Sequence, residues 1–131
     1  MIRMMKMTHK AGLVLLGVLL TAGIATAQVK RTVLQQMDIS IPGKEVVTAR
    51  AEIPAGGGTG LHSHPGEEIS YVVEGAVEIV MDGQSTIYKA GQAFAIIGGK
   101  VHDAKASGGA AVVIANYVIE KGKAVTTPVK Q

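Results

Sequence analysis

Three histidines and one glutamate have a spacing that could place them around a metal ion. His62 and His64 lie in the segment LHSHPGEEIS together with Glu68, and His102 follows further along the chain. On an extended segment His62 and His64 point to the same face, because side chains alternate with a period of two. Glu68 has the same parity, so its carboxylate can join the two imidazoles. Such a donor set suits Mn(II), Fe(II), Co(II), Ni(II) or Zn(II).

The remaining ligand position has one candidate, His102, since no other histidine follows the N-terminal segment described below. Gly98 and Gly99 precede it and allow a sharp bend of the backbone. Glu67 has the opposite parity and is predicted to point away from the cluster. An isolated His-x-His pair is as often two surface histidines as it is part of a metal site. Here the matching carboxylate and the third histidine favour one bound divalent transition metal. The pattern specifies the His-x-His pair most strongly, and Glu68 and His102 less so.

Residues 1–27 have the build of a cleavable signal peptide. A basic start is followed by an uncharged run from Ala11 to Ala25, and Ala25-Thr26-Ala27 offers the small-residue site that signal peptidase accepts. Cleavage after Ala27 leaves Gln28 as the mature N-terminus. The alternative is an uncleaved anchor, but a membrane span needs about 20 apolar residues and this run is shorter. We therefore expect a mature protein of residues 28–131, periplasmic or secreted, without a stable membrane anchor.

The charge balance argues against a nucleic-acid partner. The formal net charge of +3 equals the charge of the basic residues at the start of the signal segment, Arg3, Lys6 and Lys10, so the rest of the chain is balanced. No run of Lys or Arg remains to form a phosphate-binding face. The chain has no Cys, which excludes disulfides, thiol nucleophiles and iron–sulfur clusters. We expect so small a domain to gain stability from a bound metal or from an oligomer such as a homodimer.

The pattern of apolar residues indicates an all-β domain. Val, Ile and Ala occur in short runs separated by Gly, Pro and Asp, and no window has a helical period. Strands at this spacing form a sandwich or a barrel. The predicted strands are Glu45–Ile53, Glu68–Val73, Ala76–Met81, Ser85–Lys89, Ala93–Ile97 and Ala110–Ile119.

Two local features refine this prediction. Asp82-Gly83 between alternating segments predicts a two-residue hairpin turn of type I′. The segment Ala110–Ile119 is apolar on both faces except at Asn116, which predicts a central strand. Residues 28–43 and 121–131 are weaker in pattern, and we expect them to be peripheral arms or frayed ends.

The spacing of the candidate ligands resembles the two-part signature of the cupin superfamily. The first part matches in full: Gly56, five residues, His62, one residue, His64, three residues, Glu68, six residues, Gly75. The second part matches at Gly91, Gly99 and His102, but Ile97 and Ala106 stand where the family usually has Pro and Asn. These two are scaffold positions and not ligands. The differences at Ile97 and Ala106 therefore affect the fine geometry of the metal site and, through it, the identity of the metal.

The resemblance implies a single cupin domain over residues 28–131, built as a small all-β jelly-roll barrel. It implies six to eight strands, with the barrel core at about residues 45–119. By the same resemblance the metal ligands are His62, His64, Glu68 and His102.

Other residues have chemical interpretations that the sequence disfavours. Gly56–Gly60 is not followed by Gly-Lys-Ser/Thr, so a turn is favoured over a phosphate-binding loop. Asn116 is predicted to be a buried, hydrogen-bonded amide rather than a substrate contact. Arg50 could reach an anionic substrate at the barrel mouth, but a solvated position on a strand face is favoured. The residues predicted to lie in the core or at the rim are Tyr71, Tyr88 and Tyr117.

The implied fold hosts several chemistries, so more than one function stays open. The first is a small metal-dependent enzyme, dioxygenase-like, acting on a small organic substrate that chelates the metal through oxygen. The second is a non-catalytic module that binds a metal or a small ligand, for example in an exported sensing system, and the third is a structural cupin without metal. No catalytic residue is assigned, because each histidine after the signal segment is taken as a ligand. Glu67 or Glu68 can act as a general base only if its carboxylate does not bind the metal.

Overall fold

The computed structural model describes residues 28–130 of the chain. The predicted signal peptide, residues 1–27, lies outside the described residues. Between residues 28 and 130 the chain forms ten β-strands and no helix, which confirms the all-β prediction. That part of the chain accordingly has no helix long and apolar enough to span a membrane.

The strands form two antiparallel sheets of five strands each, arranged as a jelly roll. Sheet A has the order β1-β2-β9-β4-β7, and sheet B has the order β10-β3-β8-β5-β6. In chain order the strands are β1 (Lys30–Asp38), β2 (Lys44–Ile53), β3 (His62–Ser63), β4 (Gly66–Glu74), β5 (Ala76–Met81), β6 (Gln84–Lys89), β7 (Ala93–Ile96), β8 (His102–Ala106), β9 (Ala111–Glu120) and β10 (Thr127–Pro128).

The core lies between the two sheets. In β2 every second side chain is buried, and the same alternation continues in β4 and β5, as expected for strands with one face against a core. Val72, Phe94 and Val113 of sheet A contact Val77 and Ile79 of sheet B in one apolar cluster. Several inward residues of sheet A are small, among them Ala49, Ala51 and Ala115. These short side chains leave interior space in front of the sheet.

The local predictions for the hairpin and the central strand are confirmed. Asp82 and Gly83 have φ values of 52° and 73°, and they connect β5 to β6 with Met81 opposite Gln84, as a type I′ turn requires. Strand β9 lies in the middle of sheet A, between β2 and β4.

The strand count and the two ends of the domain differ from the prediction. The structure has ten strands where six to eight were expected. Residues Lys30–Asp38, predicted to be an arm, form an edge strand with a register shift between Val33 and Gln35, and its nine residues are all exposed, so no apolar alternation marks it in the sequence. The segment after Lys121 is not frayed, because Thr127 and Pro128 pair with Ser63 and His62. Strand β8 was not predicted either, because its five residues are too few and too polar to show an alternation of apolar side chains.

Candidate metal centre

The structure brings the four predicted ligands, His62, His64, Glu68 and His102, into one buried cluster. Their potential donor atoms all lie within 4.8 Å of one another. The exposed fraction of these residues ranges from 1% for His102 to 7% for Glu68. Glu68 and His102, the less strongly specified members, therefore belong to the cluster together with the His-x-His pair.

Strand register and alternation place the three imidazoles on one face of sheet B. Strands β3 and β8 pair with His62 directly opposite His102, and their ring centroids are 4.2 Å apart. His64 follows β3 with the same parity, and its ring lies 4.8 Å from that of His62. The turn ahead of His102 closes in spite of Ile97, because the Lys100 amide donates to the Ile97 carbonyl at 3.1 Å.

The carboxylate of the cluster comes from the opposite sheet. Glu68 lies in β4 of sheet A, where it pairs with Tyr117 of β9. Its Oε2 atom is 3.0 Å from Nε2 of His64 and 3.3 Å from Nε2 of His102. Its Oε1 atom accepts a hydrogen bond of 2.7 Å from the buried Ser70 hydroxyl. The cluster thus connects the two sheets across the core.

Backbone carbonyl groups define the tautomer of all three histidines. The Nδ1 atoms of His62, His64 and His102 lie 2.8, 2.6 and 3.0 Å from the carbonyl oxygens of Gly60, Val125 and Lys100 respectively. A carbonyl oxygen only accepts, so each Nδ1 must carry the proton and donate. Every Nε2 atom is then left with a lone pair or a second proton. An Nδ1–H fixed by a carbonyl is the usual arrangement of a histidine that ligates a metal through Nε2.

Protonation of the cluster follows from burial and from neighbouring charge. Burial, aided by the nearby His102 and His64, lowers the pKa of His62 to about 4, so this imidazole is neutral at neutral pH. Burial also lowers the pKa of His102, but the Glu68 carboxylate and the Lys100 carbonyl outweigh it and raise the pKa overall. For Glu68, burial raises the pKa, but contacts with His102, His64 and Ser70 outweigh it, so the group is a carboxylate.

The donor atoms fit a divalent cation. The buried Nε2 atom of His64 has no hydrogen-bond partner among the described residues, although it lies 3.0 Å from the Glu68 carboxylate. This approach requires positive charge at the contact, either a second proton on Nε2 or a metal cation bound to both atoms. Three imidazole nitrogens and one carboxylate oxygen are the donors that Mn(II), Fe(II), Co(II), Ni(II) or Zn(II) accept.

Two adjoining cavities lie beside the cluster. A small chamber of about 20 Å³ touches His62, Glu68 and His102 and has apolar walls that include Phe94 and Val77. An open cavity of about 670 Å³ lies outside it and is bordered by the Gly56–Gly60 turn. The residues that line both cavities are Arg31, Thr59 and His62. The two cavities therefore adjoin at these three side chains, and the chamber itself has room for about one water molecule.

The other residues singled out in the sequence lie outside the cluster. Glu67 is exposed and points away from it, as predicted. Arg50 lies on the outer face of β2, where its Nε atom donates to Glu52 at 3.2 Å. Asn116 is hydrogen-bonded as predicted but only half-buried: it accepts from the Thr48 hydroxyl at 2.8 Å, and its amide donates to the Ile69 carbonyl at 3.2 Å.

The tyrosines divide between core and surface. Tyr117 is buried, and its ring centroid is 4.6 Å from that of His64. Burial and the charge of Glu68 raise the pKa of Tyr117 to about 12, so its hydroxyl is protonated at neutral pH. Tyr88 packs against Phe94, with 5.1 Å between the ring centroids, and Tyr71 is exposed on the outer face of sheet A.

Three contributors to the site were missed in the sequence. Ser70 has the same parity as Glu68, which could have identified it as a neighbour of that carboxylate. The Val125 carbonyl comes from a segment predicted to be a frayed end, and Arg31 comes from a segment predicted to be an arm. No sequence signal marks either one, since both positions depend on long-range pairing.

Comparison with known proteins identifies the family. The sequence model described as "Cupin domain" matches residues 49–120, which include all four clustered residues. The chain belongs to the cupin family. A search of curated proteins finds no match to this cupin.

Solved structures show the same fold. The cupin is similar to an uncharacterized conserved protein with a double-stranded β-helix domain from Klebsiella pneumoniae, at 22% identity over 82% of this chain and 89% of that one, with a TM-score of 0.64. It is similar to DMSP lyase DddQ from Ruegeria pomeroyi, at 20% identity over 64% of this chain and 43% of that one, with a TM-score of 0.59.

A further similar structure is a salicylate 1,2-dioxygenase from Pseudaminobacter salicylatoxidans, at 21% identity, with a TM-score of 0.52. That match covers 55% of this chain and 20% of the dioxygenase chain. At these identities the three likenesses establish the fold.

Proposed function

We propose that this cupin is an exported protein in which His62, His64, Glu68 and His102 hold one divalent transition metal, and that it is a small dioxygenase-like enzyme acting on an oxygen-chelating organic substrate. The observation that carries the metal assignment is the orientation of the imidazoles. Each Nδ1 is bound to a backbone carbonyl, which turns the Nε2 atoms towards the Glu68 carboxylate. This preorganisation serves no purpose in an ordinary apolar core.

The residues around the cluster suit a small substrate. A metal ion held there supplies a Lewis acid and a binding position for substrate oxygens. Phe94 and Val77 line the chamber and exclude bulk water, and the open cavity beyond Thr59 admits a small organic molecule. The protonated Tyr117 hydroxyl can donate a hydrogen bond into the chamber. The structurally similar salicylate dioxygenase indicates that this fold can carry such an activity.

A non-catalytic metal- or ligand-binding module is the second candidate. The buried ionisable groups that face the chamber are the proposed ligands and Tyr117, whose hydroxyl stays protonated at neutral pH. Among the described residues there is thus no separate buried group to act as a general base at neutral pH. A module that senses or stores a metal needs no such group.

Metal content tests whether the four residues bind a metal. We expect one transition metal per chain in protein purified from its natural compartment, and expect Glu68→Gln to lose it. Glu67→Gln is the matched control, because it makes the same change on the neighbouring exposed residue. Equal metal content in the two variants, or none in the wild type, would contradict the metal assignment.

Oxygen consumption separates the enzyme from the module. Protein loaded with the metal found in the natural sample is mixed with enol, flavonol and dicarboxylate compounds in an oxygen electrode. Consumption that depends on Glu68 but not on Glu67 supports the enzyme. Stoichiometric metal without oxygen uptake or product formation favours the module.

Export is tested by processing of the N-terminus. We expect the protein recovered from the periplasm or medium to begin at Gln28, as measured by intact mass, because Ala25-Thr26-Ala27 offers the cleavage site. Ala27→Asp should leave the precursor unprocessed, while Ala11→Ser, at the start of the uncharged run, should not. Natural protein that retains residues 1–27 would contradict the proposal.

A further inference from the structure

We infer that the ligand of the cavity is a small carboxylate, and that its negative charge docks on Arg31 at the junction between the open cavity and the chamber. The inference rests on the proposed function and adds a charge requirement to it. It assigns Arg31 as a residue that determines specificity.

Strand register directs Arg31 towards the site. Arg31 lies in β1 directly opposite Ala51 of β2, and Ala51 is one of the inward-facing, buried residues of sheet A. Arg31 therefore projects from the edge strand to the side of the sheet that carries Glu68. Its side chain lines both the open cavity and the chamber. The guanidinium therefore lies where the two cavities adjoin.

The guanidinium of Arg31 has more hydrogen-bond donors than the described residues use. Its partners among the described residues are neutral hydroxyl groups: Nη1 donates to the Thr126 hydroxyl at 3.4 Å, and the guanidinium also lies within hydrogen-bonding reach of the Tyr117 hydroxyl. No carboxylate of residues 28–130 lies within ion-pair distance of it. A guanidinium has five N–H donors in a planar fork that matches the two oxygens of a carboxylate. An arginine at a cavity junction that has five donors and only these two neutral partners is suited to bind an anion.

The remaining charges of the open cavity are engaged with one another or with hydroxyl groups. Lys105 is 3.7 Å from Asp103, and Asp103 also accepts from the Thr59 hydroxyl at 3.1 Å. Glu78 accepts a hydrogen bond from Ser85. Arg31 is thus the cation in this cavity that has no acidic partner among the described residues. A ligand carboxylate supplies the missing partner.

Arg50 provides an internal contrast. It belongs to β2, next to β1 in the same sheet, but it faces outward and is bound to Glu52 at 3.2 Å. From the sequence, a solvated strand face was favoured for Arg50 over an anion-binding role, and this outward position agrees with that prediction. Arg50→Gln is therefore the matched control for Arg31→Gln, since both remove one arginine from sheet A.

The test uses two probes of nearly the same shape, the anionic 3,4-dihydroxybenzoate and the neutral 3,4-dihydroxybenzamide. Calorimetric titration of the zinc-loaded protein should give an affinity for the carboxylate about tenfold or more above that for the amide, as expected for a charge-assisted pair. Arg31→Gln should remove this preference by lowering the carboxylate affinity to about that for the amide. Arg50→Gln should retain it. Thermal melts establish that both variants are folded.

The same titration without metal separates this inference from the proposed function, with benzoate and benzamide as probes. If the protein binds no metal but prefers benzoate in an Arg31-dependent way, the metal centre is wrong and the anion site stands. If zinc binds and Arg31→Gln keeps the wild-type preference for the carboxylate, the inferred anion site is refuted and the proposed metal site is retained. A wild type that shows no preference for the carboxylate, whether it binds both probes or neither, overturns the inference.

Discussion

The three imidazole rings owe their orientation to the backbone rather than to other side chains. Gly60 precedes β3, Lys100 precedes β8, and Val125 lies in the C-terminal segment, so three separate parts of the chain each supply one carbonyl. Orientation by carbonyl groups does not depend on pH, because a carbonyl does not titrate. The ligand geometry is consequently a property of the fold.

Ser70 is the side chain that orients the carboxylate of the cluster. It is 2% exposed, and its hydroxyl donates to Oε1 of Glu68 at 2.7 Å, which leaves Oε2 directed at the histidines. We expect Ser70→Ala to weaken zinc binding by about 10- to 100-fold, the usual cost of removing a partner of a metal ligand. Competition with a chromophoric chelator measures this affinity. Ser85→Ala, which removes a hydroxyl bound to the exposed Glu78, is the control, and equal affinities of the two variants would contradict the role of Ser70.

Metal affinity should depend on pH through His102. Its pKa is raised above 6.5 by Glu68 and Lys100 against the effect of burial, so the metal must displace a proton from it at lower pH. Below that raised pKa, the apparent association constant should rise about tenfold per pH unit. His62, with a pKa of about 4, adds no slope near neutrality. Chelator competition at several pH values measures the slope, and a flat profile below pH 6.5 would contradict this protonation state.

At the scale of single elements, the start of β4 depends on a glycine between two of the ligands. Gly66 pairs with Ile119, and a Cβ atom at this position would lie 1.9 Å from the Val118 carbonyl oxygen. No side chain fits there without displacing a backbone of sheet A. Since Gly66 lies between His64 and Glu68, any displacement moves the metal site as well.

We therefore expect Gly66→Ala to lower the free energy of unfolding by about 3 kcal/mol through overpacking, and to weaken metal binding at the same time. Gly109→Ala is the control, because a Cβ there meets no atom within 4 Å and its φ is not in the positive range. Urea titration of the metal-free proteins measures the stability. If the two variants unfold at the same urea concentration, β4 and β9 do not approach as closely as described.

Local patterns in the sequence were sufficient for some elements and not for others. The parity of His62, His64 and Glu68 reflects strand alternation, a local rule, and it placed all three on the correct faces. Strand β1 could not be found in this way, because its residues are exposed on an edge and carry no alternation. For the same reason the role of Arg31 could not be seen in the sequence, since only the pairing of β1 with β2 shows that it faces inward.

For the molecule as a whole, the cluster connects the two sheets. His62 and His102 belong to strands of sheet B and His64 directly follows β3, whereas Glu68 belongs to sheet A. The chain has no Cys, so no disulfide can make such a connection. A bound metal would connect β3, β4 and β8 at the centre of the jelly roll, where it opposes the separation of the sheets on unfolding.

Metal binding should accordingly stabilise the whole domain. A ligand present at 100 times its dissociation constant, and bound only by the folded state, adds about 2.7 kcal/mol to the free energy of unfolding. For a domain of this size, that corresponds to a rise in Tm of about 10 °C or more. We expect this rise in thermal melts of the wild type and of Glu67→Gln with zinc, and its reversal by EDTA. Because unfolding must break the connection between the sheets, Glu68→Gln should show little rise although its histidines are intact; an undiminished rise would mean that the metal binds sheet B alone.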